Sequence, residues 1–282
     1  MSIKQIVFLD IDGTITNGEK QISKLTRTVL KELDQREDIL LVLISARMPK
    51  SLKYICLDLD IPENIISFNG AIGRLTGIEN LEIKLLPKNL LPPSLALSCY
   101  ESCKDYDDMS FNIYTKDSWL TNEKNRWTQR EIDNTFLQPD FIGVDSVNLL
   151  RLTEREEIYK ILVRSNKKNL TAIKDNLFAG KVDCESTMIA TRDTIVEITP
   201  KNIHKGTAVE KIRNRLGFKS DQMIAFGDAD NDIEMITQVK YGYAVGNATE
   251  SLKKVAYEVI ESNLDDGVAK QLIRTFGLKI DL

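Results

Sequence analysis

Short, nearly unbroken apolar runs, several of them stopped by small or acidic polar residues, constrain this chain more than any other feature. Residues 3–11, 39–44, 65–68, 223–226 and 241–245 have strand length, and their lack of polar alternation is the pattern of strands buried on both faces. Between them lie segments of helical period. Leu25, Val29, Leu30 and Leu33 mark one face of a helix over 23–36, a short helical stretch covers 52–59, and further helices are expected at 205–216, at 233–237 and before Phe276. Strands that alternate with helices predict an α/β fold with a parallel sheet.

That alternation is interrupted once. Residues 85–93 carry three prolines and the Lys88-Asn89 pair, the composition of a linker. Beyond it the pattern predicts a helix near 95–106 and a hairpin over 111–120 turning at Lys116-Asp117. A strand at 161–164, a helix at 170–178 and a strand-like 188–198 follow. Shorter, alternating strands of this kind suggest an α+β unit with an open sheet. The expected organisation is a core made of residues 1–83 and 199–282, with 84–198 inserted into it.

Composition narrows the function classes. The chain has 282 residues, 38 Lys plus Arg against 42 Asp plus Glu, and a formal charge of −4. A mildly acidic balance argues against a nucleic-acid surface, which needs a basic stripe, while leaving room for a small anionic substrate. No apolar run approaches the roughly 18–20 residues that span a bilayer, and residues 6–9 run into Asp10 and Asp12 without a secretory cleavage pattern. No membrane partner and a cytoplasmic location are therefore expected. Cys56, Cys99, Cys103 and Cys184 form no CxxC pair, and His204 is the sole histidine. A thiolate or histidine zinc site is excluded on that ground, and reduced core thiols are expected.

In open α/β sheets ligands bind beyond the carboxyl ends of the strands, so the residues there decide the chemistry. The first run ends in Asp10-Ile11-Asp12-Gly13-Thr14, the second in Ser45-Ala46-Arg47, and the run at 223–226 in Gly227-Asp228-Ala229-Asp230-Asn231-Asp232; Lys205 opens the intervening helix. Singly, each has a plain explanation as a turn, a cap or an acidic helix start. Together, two groups of carboxylates at one sheet edge repel each other and call for a cation. An all-oxygen pocket suits Mg²⁺. Phosphoryl transfer would then use Asp10 as nucleophile and Asp12 as acid and later base. Thr14 and Ser45 would donate to the phosphoryl group, Lys205 would neutralise charge, and Asp228 would complete the metal shell.

These residues resemble a known family. VFLDIDGTI at 7–15 and GDADNDIEM at 227–235 look like motifs I and IV of the haloacid dehalogenase superfamily, and Ser45 in LISAR and Lys205 in HKGTAV match motifs II and III in order and spacing. The insertion, with Ser67-Phe68-Asn69-Gly70-Ala71 before it and Asp266-Gly267-Val268-Ala269 near the end, is similar to Cof-type phosphatases with a C2 cap. The resemblance implies a Rossmann-like core and hydrolysis of a small phosphorylated metabolite, a sugar phosphate or phosphorylated cofactor, through an aspartyl-phosphate. It implies Mg²⁺ on the Asp10 carboxylate, the Asp12 backbone carbonyl and Asp228, supported by Asp232, with Asn231 helping to place the phosphate. Ala46 stands where many relatives have glycine, and neither it nor His204 removes a required group. The insertion would be a substrate-selecting lid.

Other features have structural readings. Cys99 and Cys103 share a helix face and are expected to be buried. His204 reads as a polar loop residue, and Trp119 and Trp127 as packing within the insertion. Arg47 has two open readings, an ion pair or a grip on the substrate. Two rivals remain: a sugar phosphomutase, which would return the phosphoryl group to a hydroxyl, and a non-catalytic sugar-phosphate-binding regulator using the carboxylates for metal affinity alone. Oligomeric state leaves no mark in this sequence.

Overall fold

The computed structural model describes residues 3–76, 78, 81–84, 90–153, 157–179 and 186–280. Strand β1 (Gln5–Leu9), helix α1 (Lys24–Asp34), β2 (Ile39–Ile44), α2 (Pro49–Leu59), β3 (Asn64–Ser67), β4 (Ile72–Leu75) and β5 (Leu81–Lys84) come first. Then follow α3 (Pro93–Glu101), β6 (Met109–Tyr114), β7 (Trp119–Thr121), α4 (Arg126–Thr135), β8 (Phe141–Ile142) and α5 (Ser146–Thr153). Next are β9 (Lys160–Ser165), α6 (Lys167–Ala179), β10 (Ser186–Arg192) and β11 (Ile195–Pro200). The chain closes with α7 (Lys205–Leu216), β12 (Met223–Gly227), α8 (Ile233–Gln238), β13 (Tyr241–Ala244), α9 (Glu250–Val255), β14 (Glu258–Val259) and α10 (Gly267–Phe276). Two compact units result, one of Met1–Leu85 with His204–Leu282 and one of Leu86–Ile203.

The first unit is built on an eight-stranded sheet of order β14-β13-β12-β1-β2-β3-β4-β5. From β14 to β3 every pairing is parallel. Ile6, Val7, Phe8 and Leu9 of β1 are fully buried, as a strand covered on both faces requires. The chain moves from β1 to β2 and β3 on one side and places β12, β13 and β14 on the other, so strand order reverses at β1. Leu9 lies in register with Phe226. This brings the residues after β1 and after β12 to one sheet edge, at the crevice where such folds bind ligands. The far edge departs from a purely parallel sheet, because β4 and β5 are antiparallel. Only four residues, Phe68-Asn69-Gly70-Ala71, the first three at positive φ, join β3 to β4, too few for a crossover.

The second unit holds a six-stranded sheet of order β10-β11-β9-β6-β7-β8, antiparallel except for β7 with β8. Alternation along β6 and β9 sorts its two faces. Phe111, Ile113, Ile161 and Val163 join Cys99, Cys103, Leu149 and Leu170 in an apolar core. Asn112, Tyr114, Lys160 and Arg164 are buried too, on the face those core residues leave. There Glu131 of α4 accepts hydrogen bonds from Tyr114 Oη at 2.9 Å and from Arg164 Nε at 3.0 Å.

Some expectations need adjustment. The apolar stretch 188–198 is two strands of a hairpin, folded back at Asp193-Thr194. Because β5 belongs to the first sheet and β11 to the second, the ends of the insertion fall a few residues later than the breaks at 83/84 and 198/199. Residues 85–89 of the expected linker and Cys184 lie outside the described residues. Among the described residues no helix is long and apolar enough to cross a membrane.

Glu131→Ala is expected to leave the Arg164 guanidinium buried without its partner and to destabilise the protein by about 3–5 kcal/mol at neutral pH, measured by urea unfolding. Burial pushes the Glu131 carboxyl up, but the charges of Arg164 and Lys160 and its hydrogen bonds hold it below the ordinary 4.5. The stabilisation is complete above that ordinary value and is lost as pH falls through the lower folded-state value. The gap between parent and variant should therefore narrow in acid.

Candidate active site

The loop after β1 is wound tightly on one carbonyl. Ile11 O accepts from the backbone N–H of Thr14, Ile15 and Thr16 and from Thr16 Oγ1. The Asp10 N–H donates to Phe226 O at 3.1 Å, extending the β1–β12 ladder to the aspartate itself. Gly13 has φ +87°, and a Cβ built there would sit 2.3 Å from Asp228 Oδ2. Asn247 Nδ2 donates to Gly13 O and Asn263 Nδ2 to Thr16 O, each at 2.8 Å, and these bonds pin the loop.

Carboxylate oxygens of Asp10, Asp228 and Asp232 lie within 4.8 Å of one another. The Lys205 ammonium, wholly buried at the start of α7, donates to Asp10 Oδ1 and, at 2.6 Å, to Asp232 Oδ1. Asp232 Oδ2 accepts the backbone N–H groups of Asp228 and Ala229 at 3.0 and 3.1 Å. This approach relies on Gly227, where a Cβ would fall 2.5 Å from that of Asp232. Thr14 Oγ1 lies 3.1 Å from Asp10 Oδ2 and 3.4 Å from Asp228 Oδ1.

The electrostatics follow from burial. Burial pushes the Asp10 carboxyl well above its usual range against the pull of Lys205, with Asp232 and Asp228 adding to the rise. Burial, then the charge of Asp232, pushes Asp228 up to about 6. Burial also works against the charge on Lys205, yet Asp10 and Asp232 outweigh it and hold the ammonium above its ordinary range. One ammonium among three carboxylates leaves the cluster short of positive charge. Asp10 and Asp232 each have both oxygens in hydrogen bonds, Asp10 with Lys205 and Thr14, and Asp232 with Lys205 and two backbone N–H groups, while Asp228 accepts from Thr14 at Oδ1. An all-oxygen donor set of this charge fits a hard divalent cation.

Asp12 faces a different set of partners. Arg47 grips its carboxylate in a fork, with Nε to Oδ2 and Nη2 to Oδ1 both at 2.7 Å, and Lys20 Nζ reaches Oδ1 at 2.8 Å. Burial raises this carboxyl, but Arg47 and then Lys20 hold it down at about 2. The Asp12 side chain is therefore no member of the metal-type cluster, because two cations claim it. For Arg47 the ion-pair reading is the one the structure contains.

Of the sequence-derived residues, Asp10, Thr14, Lys205, Asp228 and Asp232 are joined by direct contacts, and Asp12 and Arg47 form a second group. Ser45, buried at the end of β2, accepts the Arg47 N–H at 3.3 Å. Asn231 donates to Asn69 Oδ1 at 3.2 Å rather than to the carboxylates. Lys20, Asn69, Asn247 and Asn263 escaped the sequence reading as site residues. Only Asn69, next to Gly70 after an apolar run, carried a local signal. His204 caps α7, its Nδ1 accepting from the Thr207 N–H at 3.3 Å. Cys99 and Cys103 are fully buried, and burial pushes the Cys99 thiol up to about 12. Trp119 stacks on Tyr114 and donates to Asn112 Oδ1, while Trp127 donates to Asp108 O.

With this geometry in view, comparison with known proteins is direct. A family model described as haloacid dehalogenase-like hydrolase matches residues 7–272. The chain belongs to that family. It is 27% identical over 291 residues to a 5-amino-6-(5-phospho-D-ribitylamino)uracil phosphatase of Bacillus subtilis, covering 97% of this chain and 98% of that protein. It is 26% identical over 250 residues to an HMP-PP phosphatase of Escherichia coli, covering 88% and 86%. A crystal structure of a haloacid dehalogenase-like hydrolase from Bacteroides thetaiotaomicron superposes with a TM-score of 0.83 at 25% identity, covering 96% of this chain and 99% of that one.

Gly13→Ala should displace the Asp228 carboxylate and weaken divalent-cation binding by about 10- to 100-fold, read by titration calorimetry with Mg²⁺. The unchanged carboxylate inventory makes this a test of geometry alone.

Proposed function

We propose that this protein is a Mg²⁺-dependent phosphatase that hydrolyses a small phosphorylated metabolite through a phosphorylated Asp10. The observation that carries this reading is the meeting of Asp10, Asp228 and Asp232 around the Lys205 ammonium, with a second aspartate two residues beyond Asp10. The names of the B. subtilis and E. coli relatives, both phosphatases of small molecules, support it.

In this reading Asp10 and Asp228 would hold Mg²⁺ together with the Asp12 backbone carbonyl, and Asp232 supports them while orienting Lys205. Bound there, the cation would favour the ionised form of Asp10 and draw negative charge from the phosphoryl oxygens. An Asp10 carboxylate oxygen attacks phosphorus, and the bond from phosphorus to the leaving oxygen breaks. Asp12 is read as the acid: an anionic substrate that draws Arg47 and Lys20 from its carboxylate lets it enter the step protonated, and that proton goes to the departing alkoxide. Asp12, now a carboxylate, takes a proton from water as the water oxygen attacks phosphorus, which frees Asp10 and releases phosphate. Lys205 balances the anions it touches, and Thr14, Ser45 and Asn231 are assigned to the phosphoryl oxygens. The inserted unit is read as the part that selects which metabolite is accepted.

Asp10→Asn should lower turnover by at least about 1000-fold without loss of fold, since it removes the nucleophile and a buried charge together. Inorganic phosphate should accumulate from a panel of phosphorylated metabolites with Mg²⁺, cease with chelator and return on adding Mg²⁺. Substantial Mg²⁺-dependent turnover by Asp10→Asn contradicts the nucleophile. Isomerised sugar phosphate without released phosphate means a mutase, and binding without turnover means a regulator.

A further inference from the structure

We propose that the loop between β13 and α9, residues 245–249, braces the two acidic loops against each other, and that Asn247 is a positioning residue for the divalent cation. This rests on the reading of Asp10 and Asp228 as the residues that hold Mg²⁺. The brace is bonded to both loops at once. On the loop after β1, Asn247 Nδ2 donates to Gly13 O at 2.8 Å. On the loop after β12, the Thr249 N–H donates to Asp228 O at 2.9 Å, and Thr249 Oγ1 to Asp230 Oδ1 at 2.7 Å. Two residues apart in one short loop, Asn247 and Thr249 thus tie together chain segments more than 200 positions distant.

The point that Asn247 holds is the one that separates the carboxylates. A Cβ at Gly13 would sit 2.3 Å from Asp228 Oδ2, so the Gly13 backbone already lies against that carboxylate. Its neighbour Thr14 places Oγ1 3.1 Å from Asp10 Oδ2 and 3.4 Å from Asp228 Oδ1. Gly13 and Thr14 form the layer between the two acids, and Asn247 sets where that layer lies. Among the described residues the β1–β12 backbone ladder ends at the bond from the Asp10 N–H to Phe226 O. Beyond it both chains have left the sheet, and their spacing depends on cross-links of this kind.

Asn247 is itself fixed from behind. Its Oδ1 accepts the Asn263 N–H at 3.0 Å, and Asn263 Nδ2 donates to Thr16 O at 2.8 Å. The Gly246 N–H donates to Glu261 O at 3.3 Å. A carboxamide with a carbonyl before its NH₂ group and an N–H before its oxygen fits one way round only. The Asn247 side chain nevertheless lies at the surface. Hydrogen bonds there exchange readily with water and add little to stability. Geometry is a different matter, because Mg²⁺ demands near-ideal placement of its oxygen ligands, and groups that orient those ligands control affinity.

Titration calorimetry of the full-length protein with Mg²⁺ alone tests this, because it reads the site without turnover. Asn247→Ala should weaken Mg²⁺ binding by about tenfold or more. Asn263→Ala keeps the backbone N–H that Asn247 accepts and should weaken it by about threefold, a part of that effect. Arg36→Gln breaks the hydrogen bonds of a half-buried arginine to Asp38, before the amino end of β2, and should bind Mg²⁺ as the parent does. Unchanged affinity in Asn247→Ala overturns the brace, and so does an equal loss in Arg36→Gln, which would mean general loosening of the unit. A parent protein that binds no Mg²⁺ sinks the metal reading itself and the brace with it. If Asn247→Ala melts early, Asn247→Asp decides. It keeps the size and the acceptor but turns an oxygen toward Gly13 O. Its added negative charge alone would tighten cation binding, whereas loss of the brace weakens it.

Discussion

Three carboxylates, those of Asp10 and Asp232 buried and that of Asp228 half-buried, lie close together, and the charge they need against them governs how the first unit is built. Lys205 supplies one positive charge from the first residue of α7, touching Asp10 and Asp232. An ammonium placed there without partners would cost several kcal/mol in lost hydration, and a carboxylate likewise. Each is tolerable only in the presence of the other. The same balance accounts for the upward push on Asp10 and Asp228. It also explains why the donor set is suited to a hard divalent cation.

Around that balance the backbone is arranged to bring the groups close. The β1–β12 register carries Asp10 to the edge where Asp228 emerges. Gly13 and Gly227 remove the two Cβ atoms that would collide with Asp228 and Asp232. Asn247 and Asn263, more than 230 residues from the loop they hold, tie its carbonyls. Asp12 leaves this cluster and is held by Arg47 and Lys20 instead. Neighbouring aspartates of one turn thus sit in opposite fields, one pushed up by burial and the other held down by cations.

The core strands were legible because burial on both faces leaves a sequence no room for polar residues, as in Ile39–Ile44, where all six are buried. Asp10, Asp228 and Lys205 were legible because they stand immediately after such strands or at a helix start. The helix α4 was not seen, since its polar residues contribute to a buried polar face and blur the apolar period that would reveal it. Lys20, Asn247 and Asn263 were not seen either. A lysine in a turn and asparagines in loops are common, and nothing local distinguishes those that reach a distant carboxylate or carbonyl.

By itself the sequence determined the alternation of buried strands and helices, the interruption by a second unit, and the acidic residues at the strand ends, because each is a local consequence of burial or of chemical type. Only the tertiary structure decided which side chains touch. That Arg47 pairs with Asp12, that Thr14 bridges Asp10 and Asp228, and that Lys205 lies between Asp10 and Asp232 depend on strand order and register. Those are properties of contacts between segments far apart in the chain, which no local pattern of residues encodes.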